Sequence, residues 1–197
     1  MRIGCVVMAS GEGKRFAAAA GVPGNKLLAP LADEPLVVHT VRSVPEPFEV
    51  VVSTRWTAVA DALRPLGVRV ALHEGHLRSD SVRAGLLAGA DAWDGCLFLP
   101  GDQPLVGKES FRALARAFEA DSSAPVRLAW QGASASPVLF PRRLFARLLA
   151  LDGKQGGAAL LRDETRVGLV EAAGTWELLD ADTPAELAHM EAFLAST

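Results

Sequence analysis

Cysteine is nearly absent: the 197 residues hold two, Cys5 and Cys96, each inside an apolar run. That scarcity excludes a disulfide framework and leaves two buried free thiols as the simpler reading. Long apolar runs are also missing, none approaching the roughly 20 residues needed to span a bilayer, so no membrane association is expected. Positive charge is not in excess either. With 20 Lys and Arg against 23 Asp and Glu, the formal charge is -3, which argues against a broad DNA or RNA footprint while leaving room for a local basic pocket. Met1 leads straight into an apolar run with no cleavage site, so a cytoplasmic location is expected.

Half of the residues are hydrophobic and 22% are charged, the balance of a chain that buries a core. The length suits one domain over residues 1–197. Short apolar runs alternate with amphipathic segments, which predicts an α/β fold: a mostly parallel central sheet between two layers of helices. Residues 3–8, 48–53, 68–72 and 96–99 read as strands. Pro35 opens a helix carrying Val37, Val41 and Val44, and Ser79 to Ser81 offer caps for one carrying Val82, Leu86 and Trp93. Phe111, Leu114, Ala115 and Phe118 share a helical face, as do Leu144, Leu148 and Leu151. After Asp121 the rhythm changes to strands at 126–130 and 137–140, a helix and a Gly-rich stretch at 153–157, read as a subdomain over the sheet edge. Thr183, Pro184 and Glu186 mark the N-cap, N1 and N3 positions of the last helix.

The first strand empties into Met8-Ala9-Ser10-Gly11-Glu12-Gly13-Lys14-Arg15, with a third cation at Lys26. Such a turn exposes backbone N–H groups beside positive charge, a combination able to hold a polyphosphate, and it lies where ligands of open α/β sheets bind. Two common phosphate motifs are excluded. A dinucleotide fingerprint would need glycine at Phe16, and a P-loop would need Ser or Thr after a Gly-Lys pair. At the exit of another strand stands Gly101-Asp102-Gln103-Pro104; Asp102 could form an Asx-turn or ligate Mg²⁺, which takes one or two carboxylates and otherwise phosphates. In Asp180-Ala181-Asp182, alternation on an extended chain would point both carboxylates to one face and invite a cation. His73 and His76 lack a third metal ligand and read as solvated loop residues, while His39 and His189 fall on helices. No Ser/His/Asp or Cys/His set is evident.

Together these pieces resemble the MobA-like nucleotidyltransferases, most closely the molybdenum cofactor cytidylyltransferases. The likeness runs through Met8 to Gly11, Lys26, Ser79-Asp80-Ser81-Val82 with Gly85, Gly101 to Pro104, Ser136 to Phe140 and Asp180 to Pro184. It implies a Rossmann-like three-layer α/β/α nucleotidyltransferase fold. Met8, Ala9, Ser10, Gly11 and Gly13 would hold the nucleotide with Ser81 near the nucleoside. Lys14, Arg15 and Lys26 would neutralise phosphates, and Asp102, Asp180 and Asp182 would form a Mg²⁺ site. Guanine-using relatives tend to have paired glycines where Ala9-Ser10 stands, so the resemblance favours CTP. Two departures are evident: residues 17–23 lengthen the path from Arg15 to Lys26, and residues 153–159 lack an acid and an arginine that relatives carry.

The resemblance implies that an acceptor phosphate oxygen attacks the α-phosphorus of the nucleotide and expels pyrophosphate, without an enzyme nucleophile. Its substrates would be a nucleoside triphosphate and a small phosphorylated acceptor such as molybdopterin, and its protein partner a molybdoenzyme or cofactor-delivery protein. Rival readings are a guanylyltransferase, a sugar- or isoprenoid-phosphate nucleotidyltransferase, and a noncatalytic nucleotide-sensing module.

Overall fold

The apolar runs of the sequence become four adjoining strands, from one edge to the centre, of a seven-stranded sheet. The computed structural model describes residues 1–21, 24–153 and 155–196. Its strands, in chain order, are β1 (Ile3–Met8), β2 (Pro30–Leu31), β3 (Glu34–Pro35), β4 (Glu49–Thr54), β5 (Arg69–Leu72), β6 (Gly95–Pro100), β7 (Val126–Trp130), β8 (Ala133–Pro141) and β9 (Gly168–Glu171). Strands β2 and β3 form a separate small ladder; the others lie in the order β5-β4-β1-β6-β8-β7-β9. Only β8 runs against the rest, pairing antiparallel with both β6 and β7. The segment after Asp121 is therefore no separate subdomain over the sheet edge: β7, β8 and β9 extend the same sheet.

Among the described residues seven α-helices cover it: α1 (Lys14–Ala20), α2 (Leu36–Ser43), α3 (Thr57–Leu63), α4 (Arg78–Leu87), α5 (Lys108–Ala120), α6 (Phe145–Leu149) and α7 (Pro184–Ala195). Because strand side chains alternate, β1 feeds two cores. Cys5 and Val7 join α2, α3, α5 and α7 through residues such as Leu36, Leu63, Phe111 and Met190. Val6 joins α4 and α6 through Val82, Leu86, Phe145 and Leu148. Each fully buried Leu or Phe contributes about 1.5–3 kcal/mol, so these faces, rather than helix propensity, hold the layers in place. Cys5 and Cys96 are fully buried in different cores, and burial pushes both thiols up.

Local details depart from the sequence reading in physical ways. Helix α4 starts one turn earlier than the serines suggest: Leu77 is its N-cap, and Asp80 accepts the Leu77 N–H at 3.0 Å. Trp93 lies beyond the helix, its indole donating to Glu49 Oε2 at 2.9 Å. Gly85 is required where α4 crosses β1, because a Cβ there would stand 2.3 Å from Val6 Cγ1. The stripe at Leu144 to Leu151 is broken into a 3₁₀ turn over Arg142–Leu144 and the short α6. The last helix is capped as read, Thr183 Oγ1 accepting the Glu186 N–H at 3.2 Å.

Candidate active site

The chain leaves β1 towards β4 and β5, then crosses back to β6 on the other flank of β1. This reversal opens a crevice above the carboxyl ends of β1 and β6, the usual ligand position of such sheets. Met8 stands level with Pro100 across the pair, and Gly101 donates its N–H to Met8 O at 3.0 Å. A Cβ at position 101 would come within 2.9 Å of that same oxygen, so glycine is what lets the two loops close together. Gly13 enters α1 at φ +62°, in the left-handed region glycine favours.

Above this edge lies a charged cluster. The Lys26 ammonium, nearly buried, sits 2.5 Å from Asp102 Oδ2 and 2.8 Å from Asp182 Oδ1. Arg15 approaches the other Asp182 oxygen at 2.6 Å, although its side chain is 80% exposed. Burial works to lower the Lys26 pKa, but the Asp102 and Asp182 carboxylates outweigh it and hold the ammonium above its ordinary value. Asp180 accepts from Gln103 Nε2 at 2.9 Å. Burial, with repulsion from Asp102 and Asp182, pushes its carboxyl up. The extended chain expected at 180–182 is bent: Asp182 donates its N–H to Asp180 O at 3.0 Å, and Ala181 ties the segment to the β6 loop by donating to Asp102 O at 3.1 Å. The two aspartates therefore do not act as one face: Asp182 serves Lys26 and Arg15, whereas Asp180 serves Gln103. The cation that these acids invite is, in this structure, Lys26.

Among the described residues, no group of three or more His, Cys, Asp or Glu side chains stands at metal-binding spacing. The donors nonetheless suit Mg²⁺, which needs one or two carboxylates when phosphates complete its shell. Asp102 lines the cleft and spends only Oδ2 on Lys26, and Asp180 and Asp182 line the same cleft beside it.

The opposite side is lined by hydroxyls. His73 Nε2 lies 2.9 Å from Ser10 Oγ and 3.2 Å from Ser81 Oγ. His73 is thus no solvated loop residue, and the sequence offered no signal for it beyond its position after a strand. Ser53 Oγ donates to Ser81 O at 2.7 Å, anchoring α4 to β4. Ala9, expected to touch the nucleotide, is instead turned inward. Its side chain is fully buried, its N–H donates to Ser53 O at 2.8 Å, and its carbonyl accepts from Thr54 Oγ1 at 2.7 Å. Lys14 pairs with Glu12 at 2.6 Å and is largely exposed.

Between these sides runs a cleft of about 670 Å³, lined by Met8, Ser10, Gly11, Gly13, Lys14, Arg15, Lys26, Ser81, Asp102, Asp180 and Asp182 among others. Of the sequence-expected residues, Ala9 alone does not line it. Alternation along β8 adds Ser136, Val138 and Phe140 to the wall, and residues 156–158 close it. Gly153 O receives the Ser79 hydroxyl at 3.0 Å, joining that stretch to α4; Lys154, within the expected Gly-rich segment, and Val22 and Pro23, within the lengthened first loop, lie outside the described residues. Among the described residues no helix is long and apolar enough to cross a membrane.

A family model described as the MobA-like NTP transferase domain matches residues 5–168. No curated protein sequence matches the chain. Among solved structures, a nucleotidyl transferase from Methanothermobacter is 28% identical with a TM-score of 0.83, covering 100% of this chain and 99% of its own. Rv0371c from Mycobacterium tuberculosis H37Rv in complex with manganese is 22% identical at a TM-score of 0.73, covering 98% and 99%. A CMP:2-keto-3-deoxy-manno-octonic acid synthetase complexed with CTP is 16% identical at 0.73, covering 100% and 99%. The last two speak for the shared fold.

Proposed function

We propose a function from one premise: the chain belongs to the MobA-like NTP transferase family. It is a nucleotidyltransferase, and the specific reaction we assign to it is transfer of CMP from CTP to a small phosphorylated acceptor, molybdopterin being the acceptor that the resemblance of Ser136 to Phe140 to molybdenum cofactor cytidylyltransferases favours. An acceptor phosphate oxygen forms the new bond to the α-phosphorus, the bridge to the β-phosphorus breaks, and its electron pair leaves with pyrophosphate. The acceptor oxygen is already anionic near neutral pH, so the protein supplies alignment and charge rather than a nucleophile.

The observation that carries this reading is Lys26 held between Asp102 and Asp182 at the carboxyl ends of β1 and β6. Asp102, with Asp180 or Asp182, would hold Mg²⁺, which when bound offsets charge on the phosphates and polarises them. The manganese complex of Rv0371c supports a divalent metal here. Lys26, preorganised and partly desolvated, meets charge growing on the leaving group; Arg15 and Lys14, exposed at the cleft mouth, draw the triphosphate in. The backbone of Ser10, Gly11 and Gly13 cradles the nucleotide. Cytidine is supported by the likeness of Met8 to Gly11 to cytidylyltransferase loops and by the CTP complex of the octonic acid synthetase; Ala9 adds nothing, since its side chain is buried. A cytoplasmic location and delivery of product to a molybdoenzyme complete the proposal.

The test is pyrophosphate release with Mg²⁺, crossing CTP, GTP, UTP and ATP with molybdopterin, a sugar 1-phosphate and an isoprenoid-precursor phosphate. Release is expected with CTP and molybdopterin. Binding of nucleotide without release across the whole panel would instead identify a sensing module.

A further inference from the structure

Ser10 follows β1 and Ser81 lies on α4, yet both hydroxyls face one ring nitrogen, His73 Nε2, at 2.9 and 3.2 Å. The ring is placed by the end of β5, where the His73 N–H donates to Thr54 O at 3.1 Å. Its other nitrogen, Nδ1, is buried without a hydrogen-bond partner among the described residues. Ser10 and Ser81 line the cleft, whereas His73 stands behind them. This is an arrangement for orienting hydroxyls. It is not a nucleophile's triad, because the nearby Asp80 carboxylate is engaged by the Leu77 N–H and by Arg83.

We propose that His73 is a specificity-determining positioning residue: it sets the direction of the Ser10 and Ser81 hydroxyls and thereby selects a pyrimidine edge bearing an amino group over one bearing a carbonyl. The inference rests on the nucleotidyltransferase reading and goes beyond it. An uncharged ring accepting at Nε2 gives the hydroxyl hydrogens an inward partner. Ser10 Oγ has a further inward acceptor, Ser53 O at 3.3 Å. Both serine oxygens then offer lone pairs to the cleft, which suits an amino donor. An imidazolium can only donate. It would turn the Ser81 hydroxyl hydrogen outward, which suits a carbonyl, while Ser10 keeps Ser53 O as its acceptor.

Burial holds the His73 pKa below its ordinary value; the Asp80 carboxylate and the Gly75 backbone pull it up, and the Arg55 guanidinium pushes it further down. Arg55 in turn lies 3.6 Å from Glu12. The ring is uncharged at neutral pH and becomes charged as pH falls below the usual histidine range of about 6.5.

The experiment measures binding of CTP and UTP with Mg²⁺, together with kcat and KM, for the full chain and for His73→Ala and His73→Asn at pH 8 and pH 5.5. These two nucleotides differ at the base edge where amino and carbonyl exchange. The wild type is expected to prefer CTP by about tenfold at pH 8, the worth of one well-made hydrogen bond, and to lose at least about threefold of that preference at pH 5.5. His73→Ala should bring the ratio to within about twofold at both pH values and raise KM for CTP about tenfold, while kcat stays within about threefold. His73→Asn keeps a polar side chain without titrating and carries the test should the alanine variant fail to fold. Its pH-independent ratio separates the ring from titration of the nucleotides. Wild-type selectivity and pH response in the variants overturn the role of His73 alone; a wild type that binds neither nucleotide overturns the transferase reading as well.

Discussion

At one end of the cleft Lys26 stands between Asp102 and Asp182, with Arg15 outside it; at the other, Ser10, His73 and Ser81 share hydrogen bonds. The first cluster is held by Coulomb attraction around a nearly buried ammonium, whose pKa the Asp102 and Asp182 carboxylates hold above its ordinary value against the effect of burial. The second is held by direction, because a hydroxyl is useful to a ligand only when its hydrogen points the right way. Charge acts on phosphates whatever base they carry. Orientation acts on the base and leaves the phosphates alone. The charged end is therefore expected to govern rate, and the hydroxyl end to govern which nucleotide is used.

Three substitutions sharpen or break this division. Asp102→Asn has the largest expected effect: turnover should fall by about three orders of magnitude, since several kcal/mol of charge stabilisation at the phosphates depends on that carboxylate. Asp102 is also the partner of Lys26. Its loss should lower the ligand-free melting temperature by about 2–4 °C, the equivalent of about 1 kcal/mol in a chain of this size. Retention of full metal-dependent turnover would place the metal elsewhere.

Lys26→Gln should slow turnover about 10²-fold with a smaller change in nucleotide KM, as loss of one preorganised donor does. It also makes a statement about pH. The folded Lys26 pKa lies above its unfolded value of about 10.4, so its stabilisation is fully present below that value and is lost as pH rises through the folded one. The melting-temperature gap between wild type and variant should stay constant from pH 6 to 9 and close in more alkaline solution. A gap that closes between pH 6 and 9 would contradict the ion-pair account. Ser81→Ala has the smallest expected effect, about a tenfold rise in KM for CTP with kcat nearly unchanged. A kcat collapse there would erase the distinction between the two ends.

The same contrast explains what could be read before the structure. Asp102 stood out as a candidate because it leaves a strand beside glycine, and Lys26 as the third cation after the first strand; both line the cleft. Strands β1, β4 and β6 were legible because doubly covered strands are continuous apolar runs, and the edge strand β5 because residues 68–72 are mostly apolar. His73 was not, since a histidine in a His-Glu-Gly-His loop has the composition of a solvated turn, and its two partners lie 63 and 8 residues away. Ala9 misled because a loop residue next to Ser10 and Gly11 suggested contact, whereas its register places the side chain in the core with Val7. Strand β9 is only Gly-Leu-Val-Glu at the sheet edge with Leu169 half exposed, too short and too mixed to stand out. The run at 180–182 is not the regular extended chain its alternation suggested, because its backbone is recruited by Asp102 O and by its own Asp180 O.

The phosphorus that is transferred distinguishes a nucleotidyltransferase most directly. With CTP labelled at the α-phosphorus, Mg²⁺ and the pterin acceptor, the label should appear in the acceptor product while the β- and γ-phosphates leave together as pyrophosphate, and Asp102→Asn should abolish both. Release of the γ-phosphate as orthophosphate, with the α-label remaining on a nucleoside diphosphate, would contradict that assignment.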